Sequence, residues 1–102
     1  MSEKISTEGL TGVMETLLPV LYARAYETRQ EHPIIHDPIA TAWIKRIDYD
    51  FTQYDEAVLN NLGVAIRSEI LDEAVHKFIT KHPDARIVNI ACGLDTRFYR
   101  MD

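Results

Sequence analysis

The hydrophobic residues of this chain recur at helical spacing in three segments. In the first, from about Thr11 to Gln30, apolar residues return every three or four positions, and Thr11 stands in the position of an N-cap. Pro19 lies inside this segment. An internal proline removes one helical hydrogen bond and clashes with the preceding turn, so the pattern predicts a kink or two abutting helices near Leu18.

Two further helices are predicted after a connector that contains proline. Asp37 and Pro38 have the pattern of an N-cap followed by proline at the first helical position, and the helix that they open ends near Ile47. The longest element is predicted from about Asp55 to Lys81. Its apolar residues form one stripe that is expected to be its buried face, namely Val58, Leu62, Ala65, Ile66, Ile70, Ala74 and Phe78, widened by Leu71, Val75 and Ile79.

The pattern changes at residues 86–91, where a short apolar run leads into three small residues, Ala-Cys-Gly at 91–93. Such a run is typical of a buried parallel strand that delivers a tight loop to a ligand. A strand of this kind needs neighbours on both sides. We therefore expect the 102 residues to be the front end of a larger α/β enzyme, with a helical region at 1–84 and the first strand and ligand loop at 85–102.

The turn after this predicted strand allows two interpretations. Gly93 carries no Cβ, so a ligand can approach the backbone closely, but the same residues equally fit a tight turn that binds nothing. Asp95 likewise fits either a ligand contact or the cap of a following helix. Ala91 and Thr96 stand where the dinucleotide-binding motif has its first and third glycines, which counts against an oxidoreductase that uses NAD or FAD.

Composition and charge exclude several classes of function. The net charge is −5 and the eleven Lys and Arg residues are scattered, which does not favour nucleic-acid binding, and the apolar runs are too short to span a membrane. The single cysteine, Cys92, and the absence of a signal-peptide pattern predict a cytoplasmic protein. Cys92 is expected to be a small buried group rather than a nucleophile, and the four histidines show no spacing that predicts a metal site.

Residues 88–97, Val-Asn-Ile-Ala-Cys-Gly-Leu-Asp-Thr-Arg, resemble the first ligand-binding motif of the leucine carboxyl methyltransferase family. The N-terminal helices resemble those of the bacterial branch of this family, which contains polyketide O-methyltransferases of the tetracenomycin type. The segments that carry this second resemblance are 10–13, 15–18, 21–25, 36–38 and 46–51. The resemblance covers essentially the whole chain but only the first third of a family member.

This resemblance implies a class I methyltransferase that depends on S-adenosyl-L-methionine, with a Rossmann-like, doubly wound α/β sheet of which residues 86–91 would be the first strand. It implies that the following turn lies against the methionine and ribose parts of the cofactor. The cofactor-binding residues would be Ala91, Cys92, Gly93, Asp95 and Thr96. It also implies that Arg67 grips the methionyl carboxylate, because a guanidinium can bind a carboxylate through two parallel hydrogen bonds. Without the resemblance, Arg67 would be interpreted as a surface or ion-paired arginine.

Two departures from the family pattern narrow the expected function. Ala91 takes a position where the family usually has glycine, and His36 stands where the carboxyl methyltransferase branch carries a lysine. The second departure favours the branch that acts on small molecules. The full-length protein is therefore expected to methylate a carboxyl or hydroxyl oxygen of a polyketide-like substrate. This segment alone is expected to be inactive, since the groups that hold the ribose and adenine would lie beyond Asp102. No catalytic base is identified among its residues.

A second hypothesis assigns the chain to a different class of protein. It could be a stand-alone helical interaction module whose C-terminal strand adds to the sheet of another chain. An unpaired apolar strand also favours pairing with a copy of itself, which predicts a homo-oligomer.

Overall fold

The computed structural model describes residues 4–9, 12, 16–90 and 92–101. Its helices and strands follow the order β1, α1, α2, β2, a 3₁₀ helix, α3 and α4. Their bounds are Ile5–Ser6 for β1, Leu17–Thr28 for α1, Pro38–Arg46 for α2, Ile47–Asp48 for β2, Phe51–Tyr54 for the 3₁₀ helix, Val58–Lys81 for α3 and Arg97–Arg100 for α4. A membrane-spanning helix is absent from the described part of the chain.

The start of α1 places Pro19 where a proline is tolerated. The helix begins at Leu17, so Pro19 lies in its first turn. The amides of the first turn have no partner within a helix, so a proline there costs no hydrogen bond. Thr16, directly before α1, is in 3₁₀ conformation, and residues 13–15 lie outside the described part, so the kink or pair of abutting helices near Leu18 stays a prediction. Thr11, the predicted N-cap, lies outside the described residues.

The start of α2 confirms the prediction from its sequence. Asp37 is the N-cap, its side chain accepts a hydrogen bond from the amide of Ala40 at 3.0 Å, and Pro38 takes the first helical position. The helix leads directly into β2, which pairs in parallel with β1 in the register Ile5 to Ile47. This short pair holds the N-terminal arm against the end of α2.

The core lies where α1 packs against α2 and against the first part of α3. It consists of two clusters of buried side chains, one around Leu18, Tyr22 and Phe51, and one around Leu21, Ala25 and Ala40. Leu94 packs against both clusters, together with Ile44 and Ile47. The turn that follows residue 92 is therefore anchored on the same core as the helices.

Helix α3 differs from its prediction in the face that it buries. It begins at Val58, and its buried residues are Asn61, Val64, Ala65 and Ser68. Of the predicted apolar stripe, only Ala65 is buried. Helical spacing identifies an apolar stripe, but burial depends on where the neighbouring helix lies, and α1 contacts α3 beside that stripe.

The strand predicted at residues 86–91 is not present. Residues 86–89 have no regular structure and residue 90 lies in a turn, while residue 91 is outside the described part. Val88 and Ile90 are largely exposed. A strand forms only when its amides and carbonyls bond to a neighbouring strand, and within the described residues the one strand pair is β1 with β2.

Candidate functional site

The turn at residues 92–96 has a backbone that requires glycine. Gly93 has a φ of 54°, in the left-handed region that residues with a side chain rarely adopt. A Cβ at this position would also lie 2.8 Å from Cδ2 of Leu17, at the start of α1. The turn is thus pressed closely against α1, and the hydrogen bond from the amide of Asp95 to the carbonyl of Cys92, at 2.9 Å, closes it.

A cleft of about 330 Å³ lies between this turn, α1 and α3. Arg67 from α3 lines it together with Cys92 and Asp95 from the turn and Asn89 from the segment before it. Arg24 and Arg97 also line the cleft, but both are paired with aspartates of this chain. The arrangement can hold a ligand that carries both an anionic and a cationic or hydroxyl group.

Arg67 is the cation of this cleft that is open to a ligand. Its side chain is exposed, and its guanidinium has no hydrogen-bond or ion-pair partner among the described residues. A free guanidinium at the wall of a cleft can bind a carboxylate through two parallel hydrogen bonds. The residue therefore fits a carboxylate group of a ligand.

Asp95 is held in its ionised form by several neighbours. Asn89 donates to Oδ2 at 2.9 Å, and the backbone amide of Arg97 donates to Oδ1 at 3.1 Å. Burial alone would raise the pKa of Asp95, but the Asn89 hydrogen bond and the charges of Arg97 and Arg100 outweigh it and hold the pKa below its ordinary value. The Asp95 carboxylate thus binds the first amide of α4, although the N-cap position of that helix is Thr96.

A cluster of three arginines and three aspartates lies beside the cleft, and we refer to it as the Arg–Asp cluster. Its members are Arg24, Asp37, Asp72, Asp95, Arg97 and Arg100. Arg100 binds Asp72 through two hydrogen bonds, from Nε at 2.6 Å and from Nη2 at 2.9 Å. The formal charges of the cluster balance. It joins α4 to α1, to α3 and to the N-terminus of α2.

A family model described as leucine carboxyl methyltransferase matches residues 18–102. The chain belongs to this family. It is 46% identical over 93 residues to the tetracenomycin polyketide synthesis O-methyltransferase TcmP of Streptomyces glaucescens, covering 91% of this chain and 34% of that protein. It is 34% identical over 101 residues to the S-adenosyl-L-methionine-dependent methyltransferase dpfgK of Gibberella zeae, covering 90% of this chain and 34% of that protein.

The leucine carboxyl methyltransferase family was predicted from residues 88–97 and the N-terminal helices, and the match confirms that prediction. The chain spans about a third of the length of the curated relatives it matches. No solved structure matches the chain. The relatives carry methyltransferase names, and a doubly wound sheet is the fold that this family suggests, whereas the described residues are mostly helical with one short parallel sheet.

The structure brings some of the predicted cofactor-binding residues together and not others. Arg67, Cys92 and Asp95 line one cleft, and Gly93 shapes the turn beside it. Ala91 lies outside the described residues. Thr96 is fully buried, and its hydroxyl donates to Asp37, so its structural contact is clear while its predicted contact with a cofactor stays a prediction.

Cys92 corrects another prediction. It was expected to be a small buried group, but it is exposed, and its Sγ lies 3.9 Å from the carbonyl oxygen of Gly93. A cysteine at the end of a strand is buried by the sheet around it, and in the described residues no sheet surrounds this turn. Cys92 is one of the residues that line the cleft.

Sequence reasoning missed the roles of Arg24, Asp72 and Arg100. A signal for Arg24 was available, because it is a charged residue on the apolar face of α1, three positions after Leu21. A charged side chain on a buried face requires a partner of opposite charge. Asp37 was recognised as an N-cap, but its second bond, to Arg24, follows only from the packing of α1 against α2.

Proposed function

We propose that this chain forms the N-terminal part of an S-adenosyl-L-methionine-dependent O-methyltransferase and contributes one wall of its cofactor site. The observation that carries the proposal is the shared cleft of Arg67 and the turn at 92–95, which are distant in sequence. The family resemblance predicted these two elements to meet at the cofactor. In the complete domain, residues 1–84 would be the helical region over a Rossmann-like sheet, and residues 85–102 would lead into that sheet.

The residues present fit the chemical groups of this cofactor. The cofactor supplies a methyl group on a sulfonium, and its amino-acid end carries a carboxylate and an ammonium group. Arg67 would hold the carboxylate. The carboxylate of Asp95 already accepts from Asn89, Arg97 and Arg100, and it would add a negative charge to the cleft that receives the ammonium. Fixing the donor in this way contributes to the rate, because methyl transfer depends on the alignment of donor and acceptor.

The acceptor that we propose is a carboxyl or hydroxyl oxygen of a polyketide-like small molecule, for an enzyme that works in the cytoplasm. The support for this substrate class is the name of the Streptomyces relative. A carboxylate acceptor is already ionised, whereas a hydroxyl acceptor benefits from a base. We assign no such base to the described residues, and we propose that residues beyond this segment complete the site and that the segment alone does not turn over.

The cofactor contact is tested by titrating the isotope-labelled chain with S-adenosyl-L-methionine and following backbone amide resonances by NMR. We expect weak binding, above micromolar Kd, with the shifted resonances confined to Arg67, Asn89 and residues 92–96. Arg67→Gln should abolish these shifts. Arg46→Gln, which removes an exposed arginine at the end of α2, is the matched control and should leave them unchanged.

Three results would count against this proposal. If the shifts are scattered or absent at millimolar cofactor, the proposed contact with the cofactor is wrong. If the shifts are unchanged in Arg67→Gln, the proposed role of that arginine is wrong. Micromolar binding by the 102 residues alone would contradict our proposal that the rest of the site lies elsewhere.

The exposed apolar side chains of Val88 and Ile90 support a second candidate function, the interaction module that pairs through residues 86–90. This candidate requires the segment to become a strand in the complex, since it has no regular structure in the chain by itself. Light scattering with size-exclusion chromatography separates the two candidates. A concentration-dependent dimer that is lost on Val88→Asp would favour the interaction module. A monomer at all concentrations would contradict pairing of the chain with itself.

A further inference from the structure

Two charged residues of the Arg–Asp cluster are enclosed in the protein interior. Arg24 is 4% exposed and Asp37 is fully buried, and Nε of Arg24 lies 3.0 Å from Oδ2 of Asp37. Removing two charges from water is costly, and a buried ion pair by itself is weak evidence of a stabilising role. The other bonds of the two side chains therefore need an explanation.

Those other bonds converge on the turn at 92–96. Nη2 of Arg24 donates to the carbonyl oxygen of Leu94 at 2.7 Å, and the hydroxyl of Thr96 donates to Oδ2 of Asp37. Oδ1 of Asp37 accepts from the amide of Ala40 and so caps α2. One carboxylate thus ties the start of α2 to the end of the turn and, through Arg100 at 3.2 Å, to α4, while its arginine partner binds the middle of the turn.

We propose that Arg24 and Asp37 are positioning residues that hold the turn at 92–96 in the form that lines the cleft. Leu94 also packs on the core, and Arg100 also donates to the hydroxyl of Thr96. Arg24 adds what these contacts do not supply, a buried hydrogen bond from a side chain to the backbone of the turn. A guanidinium suits the task, since it donates in two directions from one rigid plane, whereas a lysine ammonium is a single point on a flexible stem. The consequence for a cofactor rests on the proposed function, but the consequence for the turn does not.

The chain contains a built-in reporter of this position. Trp43 is its single tryptophan, and its ring meets the ring of Tyr99 edge to face, with the centroids 6.2 Å apart. Tyr99 belongs to α4, which follows the turn directly. Displacement of the turn should separate the two rings, expose the indole and move its fluorescence emission to longer wavelength.

The test compares Arg24→Lys with the wild-type chain. We expect the variant to keep its helical circular dichroism and to unfold cooperatively, because the charge pair with Asp37 is retained. We expect red-shifted Trp43 emission and faster hydrogen exchange at the amides of Asp95, Arg97 and Tyr99, relative to the amides of α3. S-adenosyl-L-methionine binding, measured in the same NMR titration, should weaken by about tenfold, the loss that corresponds to one hydrogen bond.

Lys77→Gln is the matched control, because it breaks an exposed ion pair to Glu73 within one helix, with an N–O distance of 3.1 Å. It should leave emission, exchange and affinity unchanged. If Arg24→Lys also leaves emission and exchange unchanged, the inference is wrong whatever the cofactor does. If the wild-type chain shows no cofactor contact, the proposed function fails, but the emission and exchange data still decide the positioning role.

Thr96→Val keeps the test decisive should Arg24→Lys lose its fold. It removes the hydroxyl that donates to Asp37 while it keeps the size of the side chain and the ion pair. We expect the same changes in emission and exchange at smaller amplitude. Wild-type behaviour of this variant, beside an unfolded Arg24→Lys, would show that the pair supports the fold as a whole and not the turn, and this would overturn the inference.

Discussion

In a globular protein the buried face of a helix is usually its more apolar face. The two faces of α3 show the reverse. The packed face, Asn61, Val64, Ala65 and Ser68, is buried although two of its four residues are polar. The open face carries large apolar residues that remain exposed, among them Leu59, Ile66, Ile70 and Phe78. Burial along this helix therefore follows the position of α1 rather than the hydrophobicity of the residues.

This contrast assigns different roles to the two faces. On the packed face the polar groups have a function in the fold, since Asn61 donates to the carbonyl oxygen of Tyr54 at 3.2 Å and joins α3 to the 3₁₀ helix. On the open face the apolar groups contribute little to the stability of this chain, because they stay in contact with water. A cavity of about 550 Å³, lined by Val75, Ile79 and Ile87, continues the apolar surface toward residues 86–90.

The largest effect is expected from a pair of leucines that differ only in burial. Leu21 is fully buried between α1 and α2, and Leu21→Ala should lower the free energy of unfolding by about 2–5 kcal/mol through lost burial and the cavity left behind. Leu59 is 85% exposed, and Leu59→Ala should change the free energy of unfolding by less than about 0.5 kcal/mol. Urea unfolding followed by circular dichroism measures both. Equal losses for the two variants would show that the open face is covered in solution.

An intermediate effect is expected from acid at the Arg–Asp cluster. The pKa of Asp95 is held below its unfolded value of about 4, so this group adds stability above that pH. The contribution is lost as the pH falls through the folded pKa. Urea unfolding at pH 5 and at pH 3 should show a smaller loss of stability for Asp95→Asn than for the wild-type chain. Equal losses in the two proteins would contradict the role of this carboxylate.

The smallest effect on stability is expected on the open face. Ile70→Ser should leave the urea midpoint nearly unchanged, within about 0.5 kcal/mol, because the side chain of Ile70 is 61% exposed. Val64→Ser, its matched control on the packed face, should be clearly destabilising since it buries a hydroxyl. A large loss of stability in Ile70→Ser would mean that the two faces do not differ.

Local sequence signals predicted the parts of the fold that depend on neighbours in sequence. The Asp37–Pro38 start of α2 and the length of α3 are of this kind, because caps and prolines act within one turn. The buried face of α3 and the strand at 86–91 depend on partners that are distant in sequence. Periodicity marks which residues are apolar, but it does not say which side another helix or strand will occupy.

The candidate site likewise contains some features that the sequence predicted and others that it could not predict. Arg67 and the turn were placed together by resemblance to a family, and the structure puts them in one cleft. A contact of Asp95 with the start of the following helix was predictable from the sequence alone. The link from Arg24 to Leu94 was not, since a hydrogen bond to a backbone carbonyl leaves no trace in the identity of the residue that accepts it.

Because Gly93 lies so close to Leu17, the substitutions that are tolerated at one of these two positions depend on the residue at the other. Any larger residue at position 93 would strain its own backbone and strike the side chain of Leu17. Trimming Leu17 to alanine would relieve the collision but not the strain, so such a double change would be only partly tolerated. A mutagenesis library of this segment should therefore keep glycine at position 93 and vary the neighbouring positions.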